Sequence, residues 1–234
     1  MTAVQIAPGV WRVPTTPFDL INTFLLESDD GSLTVVDAGA RGAHTKVLAA
    51  LAALGKAPQD VTHLLLSHAH TDHAGGAAKL KGATGSQVWA HDREAVYLRE
   101  GRMPCPDRST RGGRLLARLR AGGFAKVDVA DTFADGAVLP LAGGVTVVHT
   151  PGHTPGHCSF LHAPSGVLLT GDAIFNVRRL RYSFRSVCTD VSLSRESAGR
   201  LGELDFDVAG FTHGPHVSAG AQQAVRAFLA GRPS

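Results

Sequence analysis

A chain of 234 residues has room for one sizeable core or two small ones. Its 44% hydrophobic and 18% charged residues exclude a disordered chain. The formal charge of +3 and pI near 9.0 permit nucleic-acid binding without implying it, since Lys and Arg scatter except around Arg99 to Arg120 and at Arg178, Arg179 and Arg181.

Cys105, Cys158 and Cys188 are odd in number, far apart and free of any CxxC pair, which points to a reducing compartment rather than a disulfide framework. The N-terminus has no basic-then-apolar leader pattern, and no apolar run approaches the roughly 18 residues of a membrane span. The expectation is a cytoplasmic protein with no membrane partner. Oligomeric state is not readable.

In chain order, β-rich runs at Val10–Val13, Thr23–Glu27 and Thr34–Val36, split by Pro17 and Asp29-Asp30-Gly31, predict an antiparallel meander. Apolar residues at helical spacing predict a helix over Ala43–Leu54, stopped by Gly55 and Pro58. His63–Leu66 reads as a buried strand feeding SHAHTDHAGGAAKL, with Thr71 or Asp72 as helix cap and His73 in the first turn. A strand at Val88–Ala90 precedes helices over about His91–Glu100 and Arg114–Ala121; the segment 91–126 reads equally as an active-site lid or a surface excursion. Strands follow at Val138–Leu141, Val145–His149, Ser159–His162 and Val167–Thr170, then helices over Leu193–Leu204 and Ala219–Leu229 around a last strand, Val208–Phe211. No low-complexity linker interrupts 1–234, so one domain is expected. Each half carries an apolar strand emptying into a His-rich loop, LLLSHAHTDH and VVHTPGHTPGH, which hints at two similar β/α halves sharing one site.

His68, His70, Asp72 and His73 put three imidazoles and a carboxylate within six residues, between apolar flanks. That is too dense for core histidines and too apolar for a solvated charge run. Metal binding is the economical explanation, and nitrogen with carboxylate oxygen suits zinc. Residues at i and i+2 on a turning loop can face one ion while i+4 and i+5 face another.

His153 in TPGHTPGH, Asp172 in LLTGDAIF and His213 in GFTHGPH complete an ordered set, HxHxDH then His, Asp and His, that resembles the metallo-β-lactamase superfamily over nearly the whole chain. The resemblance implies an α/β (α+β) fold, a four-layer αβ/βα sandwich with the site at one edge between two sheets. It also implies that His68, His70 and His153 hold a first metal, Asp72, His73 and His213 a second, and that Asp172 bridges them. Zinc is the default, with iron or manganese left open. Asp37 in TVVDAG matches a family position near the metal loop; it reads either as an orienter of a ligand or as an Asp-Ala-Gly turn.

Two such ions can share a water, lower its pKa towards about 7, and present hydroxide to a carbonyl that one ion polarises. No Gly-x-Ser-x-Gly elbow competes with that reading. Asp72 is the candidate to steer the hydroxide or carry its proton. Tyr182 is a candidate hydrogen-bond donor to substrate, Arg178 and Arg181 candidate anion anchors, and His157 and His216 candidate lining residues, each set against a bland reading as loop or locally bonded side chains. His44, His63, His91, His149 and His162 carry no ligand pattern.

Asp at 172, where zinc β-lactamases usually carry Cys or a different His arrangement, resembles glyoxalase II-type thioesterases and N-acyl-homoserine lactone hydrolases. Two departures argue against glutathione recognition and against the iron-dependent persulfide dioxygenase: GDAIFNVRRLRY stands where a Gly-Cys-Gly-Arg run is usual, and the chain ends soon after His213. Nucleases of the superfamily resemble longer chains. The expected activity is hydrolysis of a small-molecule acyl bond, thioester or lactone, with β-lactam turnover as the alternative and a mononuclear iron oxygenase or a nuclease behind it.

Overall fold

Four strands open the chain in this computed structural model, which describes residues 3–119 and 123–231. β1 (Val4–Ala7), β2 (Val10–Pro14), β3 (Asn22–Glu27) and β4 (Leu33–Val36) pair antiparallel in succession, as the turn signals predict. α1 (His44–Ala53) then returns the chain so that β5 (Val61–Leu66) lies parallel to β4. α2 (Thr71–Ala74) and α3 (Ala77–Thr84) lead to β6 (Gln87–His91), again parallel, and α4 (Asp92–Glu100) and α5 (Arg111–Leu119) precede β7 (Asp131–Phe133). The seven strands form one sheet in chain order. The helix expected over Arg114–Ala121 begins at Arg111, and its expected end lies outside the described residues.

The second half builds a five-stranded sheet from β8 (Val138–Leu139), β9 (Val145–His149), β10 (Cys158–His162) and β11 (Val167–Leu169). A separate hairpin, β12 (Ile174–Val177) and β13 (Arg179–Tyr182), and α6 (Val191–Ala198) precede β14 (Val208–Gly210), which joins that sheet parallel to β11; α7 (Ala221–Leu229) follows. The hairpin is absent from the expected elements because NVRRLRY holds no Gly or Pro; its turn is made by Arg178 at φ 65°. The single helix expected over Leu193–Leu204 instead changes at Gly199 to a 3₁₀ turn ending at Glu203.

Side-chain alternation sorts three apolar clusters into four layers. Val35, Leu64 and Leu66 pack on α1, α3 and α4 through Val47, Leu80 and Leu98. Phe24, Leu65, Val147, Phe160 and Leu169 fill the space between the sheets. Val148, Leu168 and Ala209 meet α6 and α7 through Ala198 and Val225. A strand buried on both faces needs a continuous apolar run rather than an alternating one. Leu64, Leu65 and Leu66, all fully buried, supply it, each stabilising the fold by about 2 kcal/mol through burial. The result is the αβ/βα sandwich that the motif set implied. The functional loops all follow the C-terminal ends of β4, β5, β9, β11 and β14.

Candidate metal centre

All seven expected ligands converge at those strand ends. His70 Nδ1 and His68 Nε2 lie 2.9 and 3.1 Å from His153 Nε2, and Asp172 Oδ2 lies 3.0 Å from the same nitrogen. The other carboxylate oxygen, Asp172 Oδ1, stands 3.0 Å from His73 Nε2 and 3.2 Å from His213 Nε2, while Asp72 Oδ2 stands 3.5 Å from His213 Nε2. The ligand atoms of His68, His70, His153 and Asp172 lie within 4.8 Å of one another, as do those of Asp72, His73 and His213. Asp172 therefore separates the two groups, one oxygen toward each.

Local chemistry explains the loop. His70 takes the cap position of α2 without a side-chain cap bond, and Thr71 and Asp72 lie inside the first turn, so the expectation that either caps the helix is corrected. Asp72 is thereby free to face His213. Asp37 sits in the left-handed region at φ 60°, where a short polar residue is tolerated. From there its Oδ1 accepts from Ser67 N at 2.8 Å and its Oδ2 from His73 Nδ1 at 2.7 Å. Gly171, at φ 52°, lets the chain pass where a Cβ would stand 2.7 Å from His157 Nε2.

The outward nitrogens of four imidazoles are held by neighbours. His68 Nδ1 meets Ser67 Oγ at 3.0 Å, His153 Nδ1 meets Ser183 Oγ at 3.2 Å, His73 Nδ1 donates to Asp37, and His213 Nδ1 donates to Leu20 O at 2.6 Å. Partners of this kind fix the ring and turn the other nitrogen inward. The inward atoms lack partners of their own: His73 Nε2 and Asp172 Oδ1 are buried without a hydrogen bond. Three imidazole nitrogens at 2.9–3.1 Å cannot all donate to one another. A cation between them satisfies every one, so the residues fit a metal centre.

Charge agrees. Burial pushes His68 and His70 well below the ordinary imidazole range, so both are neutral. Burial acts the same way on His153 and His73, but Asp172 outweighs it, raising His153 to about 9 and, with Asp37, His73 well above its usual value. Burial would raise Asp172, yet His73, His213 and His153 hold it well below the carboxylate range. Protons here occupy the place of positive charge that a metal would supply.

Four supporting residues escaped the sequence reading. Glu94, fully buried on α4, accepts from Ala69 N at 2.8 Å and Gly156 N at 2.7 Å, tying the His68–His70 loop to the His153 loop; burial pushes its carboxyl up to about 7. Asn22 donates to Phe211 O at 3.0 Å and Gly214 O at 2.8 Å, bracing the His213 turn. Ser67 and Ser183 are the others. Glu94 stands at helical spacing in an ordinary charged helix, so no local signal marks it.

A pocket of about 470 Å³ opens over the ligands, floored by His70, Asp72, Asp172 and His213. Leu20, Phe175, Val177, Phe184 and Val187 line it, with Met103, Pro106 and Leu116 from the 91–126 segment as one wall. None of the five expected substrate contacts lines this pocket. Tyr182 packs its ring 4.7 Å from Phe228 on α7, because β13 turns it to the helix side. Arg178 is exposed at the hairpin tip. Arg181 lies over the Phe184 ring at 4.9 Å, in a neighbouring cleft. His157, fully buried, accepts from Asp172 N at 2.8 Å; burial lowers its pKa to about 3. His216 lies outside the pocket lining, within the field of Arg12 and Asp19.

Comparison with known proteins agrees with this architecture. The chain is 28% identical over 222 residues to the hydroxyacylglutathione hydrolase GloC of Haemophilus influenzae, covering 93% of this chain and 96% of that one. It is 29% identical over 167 residues to a hydroxyacylglutathione hydrolase of Rhodopseudomonas palustris, covering 71% of this chain and 52% of the relative. Among solved structures, a metallo-β-lactamase of Cronobacter sakazakii, a HARLDQ-motif mutant, superimposes with a TM-score of 0.73 at 27% identity, over 91% of this chain and 80% of that one. The metallo-beta-lactamase superfamily profile matches residues 16–213, and with its ordered ligand set, its four-layer sandwich and these relatives the chain belongs to the metallo-β-lactamase superfamily, a superfamily of metal-dependent hydrolases.

Proposed function

We propose that this protein hydrolyses a small-molecule acyl bond, a thioester before a lactone, at a centre of two divalent ions, zinc first. One observation carries the reading: Asp172 turns one oxygen toward His68, His70 and His153 and the other toward His73 and His213, beneath a mostly apolar pocket. His68, His70 and His153 would hold one ion, Asp72, His73 and His213 the other, and Asp172 both. Such ions supply Lewis acidity to a carbonyl and lower the pKa of water towards about 7.

The chain's own residues do the rest. Asp72, about one-third exposed at the pocket floor with Oδ2 turned to His213, is the carboxylate positioned to steer the attacking water and to take its proton on the other oxygen, Oδ1. Leu20, Phe175, Val177 and Phe184 bind the acyl chain by burial and keep bulk water out. Met103, Pro106 and Leu116 give the 91–126 segment the lining of a lid.

The GloC likeness, which covers 93% of this chain and 96% of that one, favours a thioester. The Cronobacter likeness keeps a β-lactam as the second reading. Elemental analysis of gently purified protein, with hydrolysis of a thioester, a lactone, a cephalosporin and a phosphodiester, tests both. Two zinc per chain with thioester cleavage is expected. One iron per chain without hydrolysis would move the protein to the oxygenase reading.

A further inference from the structure

Beside the metal pocket, on the other side of Phe184, lies a second cleft of about 690 Å³. Arg111, Arg181, Arg185 and Arg195 border it, all exposed, together with Ser186, and no acidic residue stands in its lining. Among the described residues none of the four guanidinium groups pairs with a carboxylate. In the adjoining depression Asp107 accepts from Ser109 N and Oγ at 2.7 and 2.8 Å and lies within the field of Arg185 without pairing with it, and Asp190 caps α6 through Leu193 N at 2.9 Å.

Four like charges around one concavity, with no acidic residue in its lining, raise the local positive potential and attract an anion. Two of them are held in position by aromatic faces, Arg181 over Phe184 at 4.9 Å and Arg195 over Tyr182 at 5.5 Å, contacts that leave the N–H edges unspent. The cleft wall is closely built: a Cβ on Gly112 would stand 2.7 Å from Ser186 Cβ, so the start of α5 presses directly on the 183–186 turn. From the cleft to the metal centre the path is short, Arg181 to Phe184 at 4.9 Å, Phe184 to Phe175 at 6.0 Å, and Phe175 to His213 at 4.3 Å.

We infer that this cleft binds an oxyanion group, phosphate above all, carried on the leaving-group end of the substrate. Guanidinium forks match phosphate and carboxylate oxygens two at a time, and four forks suit a polyphosphorylated group best. Resting on the acyl-hydrolase reading, the inference gives the substrate two ends: an apolar acyl group over the metal centre and a polyanionic thiol carrier across Phe184.

Binding to the holoenzyme separates the two ideas, because it needs no turnover. Calorimetric titration with adenosine 3′,5′-bisphosphate, and separately with glutathione, is run on the native protein, on the double variant Arg185→Ala/Arg195→Ala, and on Arg178→Ala as an exposed arginine outside the cleft. The double variant is expected to bind the bisphosphate about tenfold more weakly or worse, from the loss of charge-assisted hydrogen bonds, with Arg178→Ala unchanged. Cleft-dependent binding of glutathione alone would keep the oxyanion site and name carboxylates as its source. No saturable binding of either probe, or binding insensitive to the double variant, would overturn the inference. If thioesters are cleaved, KM for a coenzyme A thioester rises in the double variant with kcat kept, while KM for an uncharged N-acetylcysteamine thioester does not move.

Discussion

The two ligand groups on either side of Asp172 are built differently. His68 and His153 are fully buried and His70 is 6% exposed, His68 and His70 are neutral, and their loops are joined by Glu94 from α4. His73 is buried too, but its partners His213 and Asp72 stand 13% and 33% exposed at the pocket floor, and the group is steered by Asp37 and by Leu20 O. The first group is a nest of imidazoles, of which His70 reaches the pocket floor. The second mixes imidazole with an accessible carboxylate and faces the substrate pocket. A buried, preorganised set holds an ion tightly, whereas an accessible one exchanges it and exposes it to chemistry.

Breaking the element common to both groups has the largest expected effect. On the proposed two-ion reading, Asp172→Ala should lower kcat/KM by more than about 10³-fold and loosen both ions, since it would remove a ligand from each. Metal content together with turnover checks this, and full activity would end the bridging assignment.

Next comes the support of the first group. Glu94→Ala leaves Ala69 N–H and Gly156 N–H buried without an acceptor, at about 1–3 kcal/mol each, partly offset by relief of the carboxyl's own burial. A net loss of about 2–3 kcal/mol is expected in denaturant unfolding. The same carboxyl sets a pH trend. Its folded pKa of about 7 lies above the ordinary 4.5, so the folded protein binds the extra proton between those values, and this contribution to stability is full below 4.5 and lost as pH rises through 7. Glu94→Ala should flatten that part of the stability profile.

The second group has its own lever. Asp37→Ala should weaken the second ion by about 10–100-fold and the first less, because His73 loses its direct partner while His68 is reached only through Ser67. Equal loss of both ions in a chelator titration would erase the distinction between the groups. A smaller, shared effect comes from protons. His153, at about 9, and His73 are protonated at neutral pH in the metal-free protein, so ions must displace those protons. Metal affinity should rise with pH from 7 to 9, by about tenfold per pH unit for each proton displaced. The smallest effect is expected at Tyr182→Phe. With its ring against Phe228 rather than over the pocket, turnover should stay within about twofold, a surface-type change.

Much of this was legible in the sequence because it is local. Three histidines and an aspartate in six residues announce a site at any burial, and the apolar runs at Leu64–Leu66 and Val167–Leu169 announce strands covered on both faces. Asp37 was readable in two ways, as a turn or as an orienter; the 2.7 Å contact with His73, which spans many residues of sequence, is the added fact. Tyr182 and Arg181 are neighbours in sequence but face opposite sides of β13, and an unseen hairpin cannot be assigned a face. Glu94 and Asn22 act on loops far from them in the chain.

The His68–His73 cluster and the strand-to-loop pattern that presents it were determined by the sequence alone, since each rests on short-range spacing, and the ordered motif set out to His213 was enough to carry the resemblance to the superfamily. Which oxygen of Asp172 faces which group, that Glu94 ties two loops together and that four arginines meet in one cleft were decided only by the tertiary structure. Those relations depend on how two sheets pack face to face, which sets distances between residues that the chain keeps far apart.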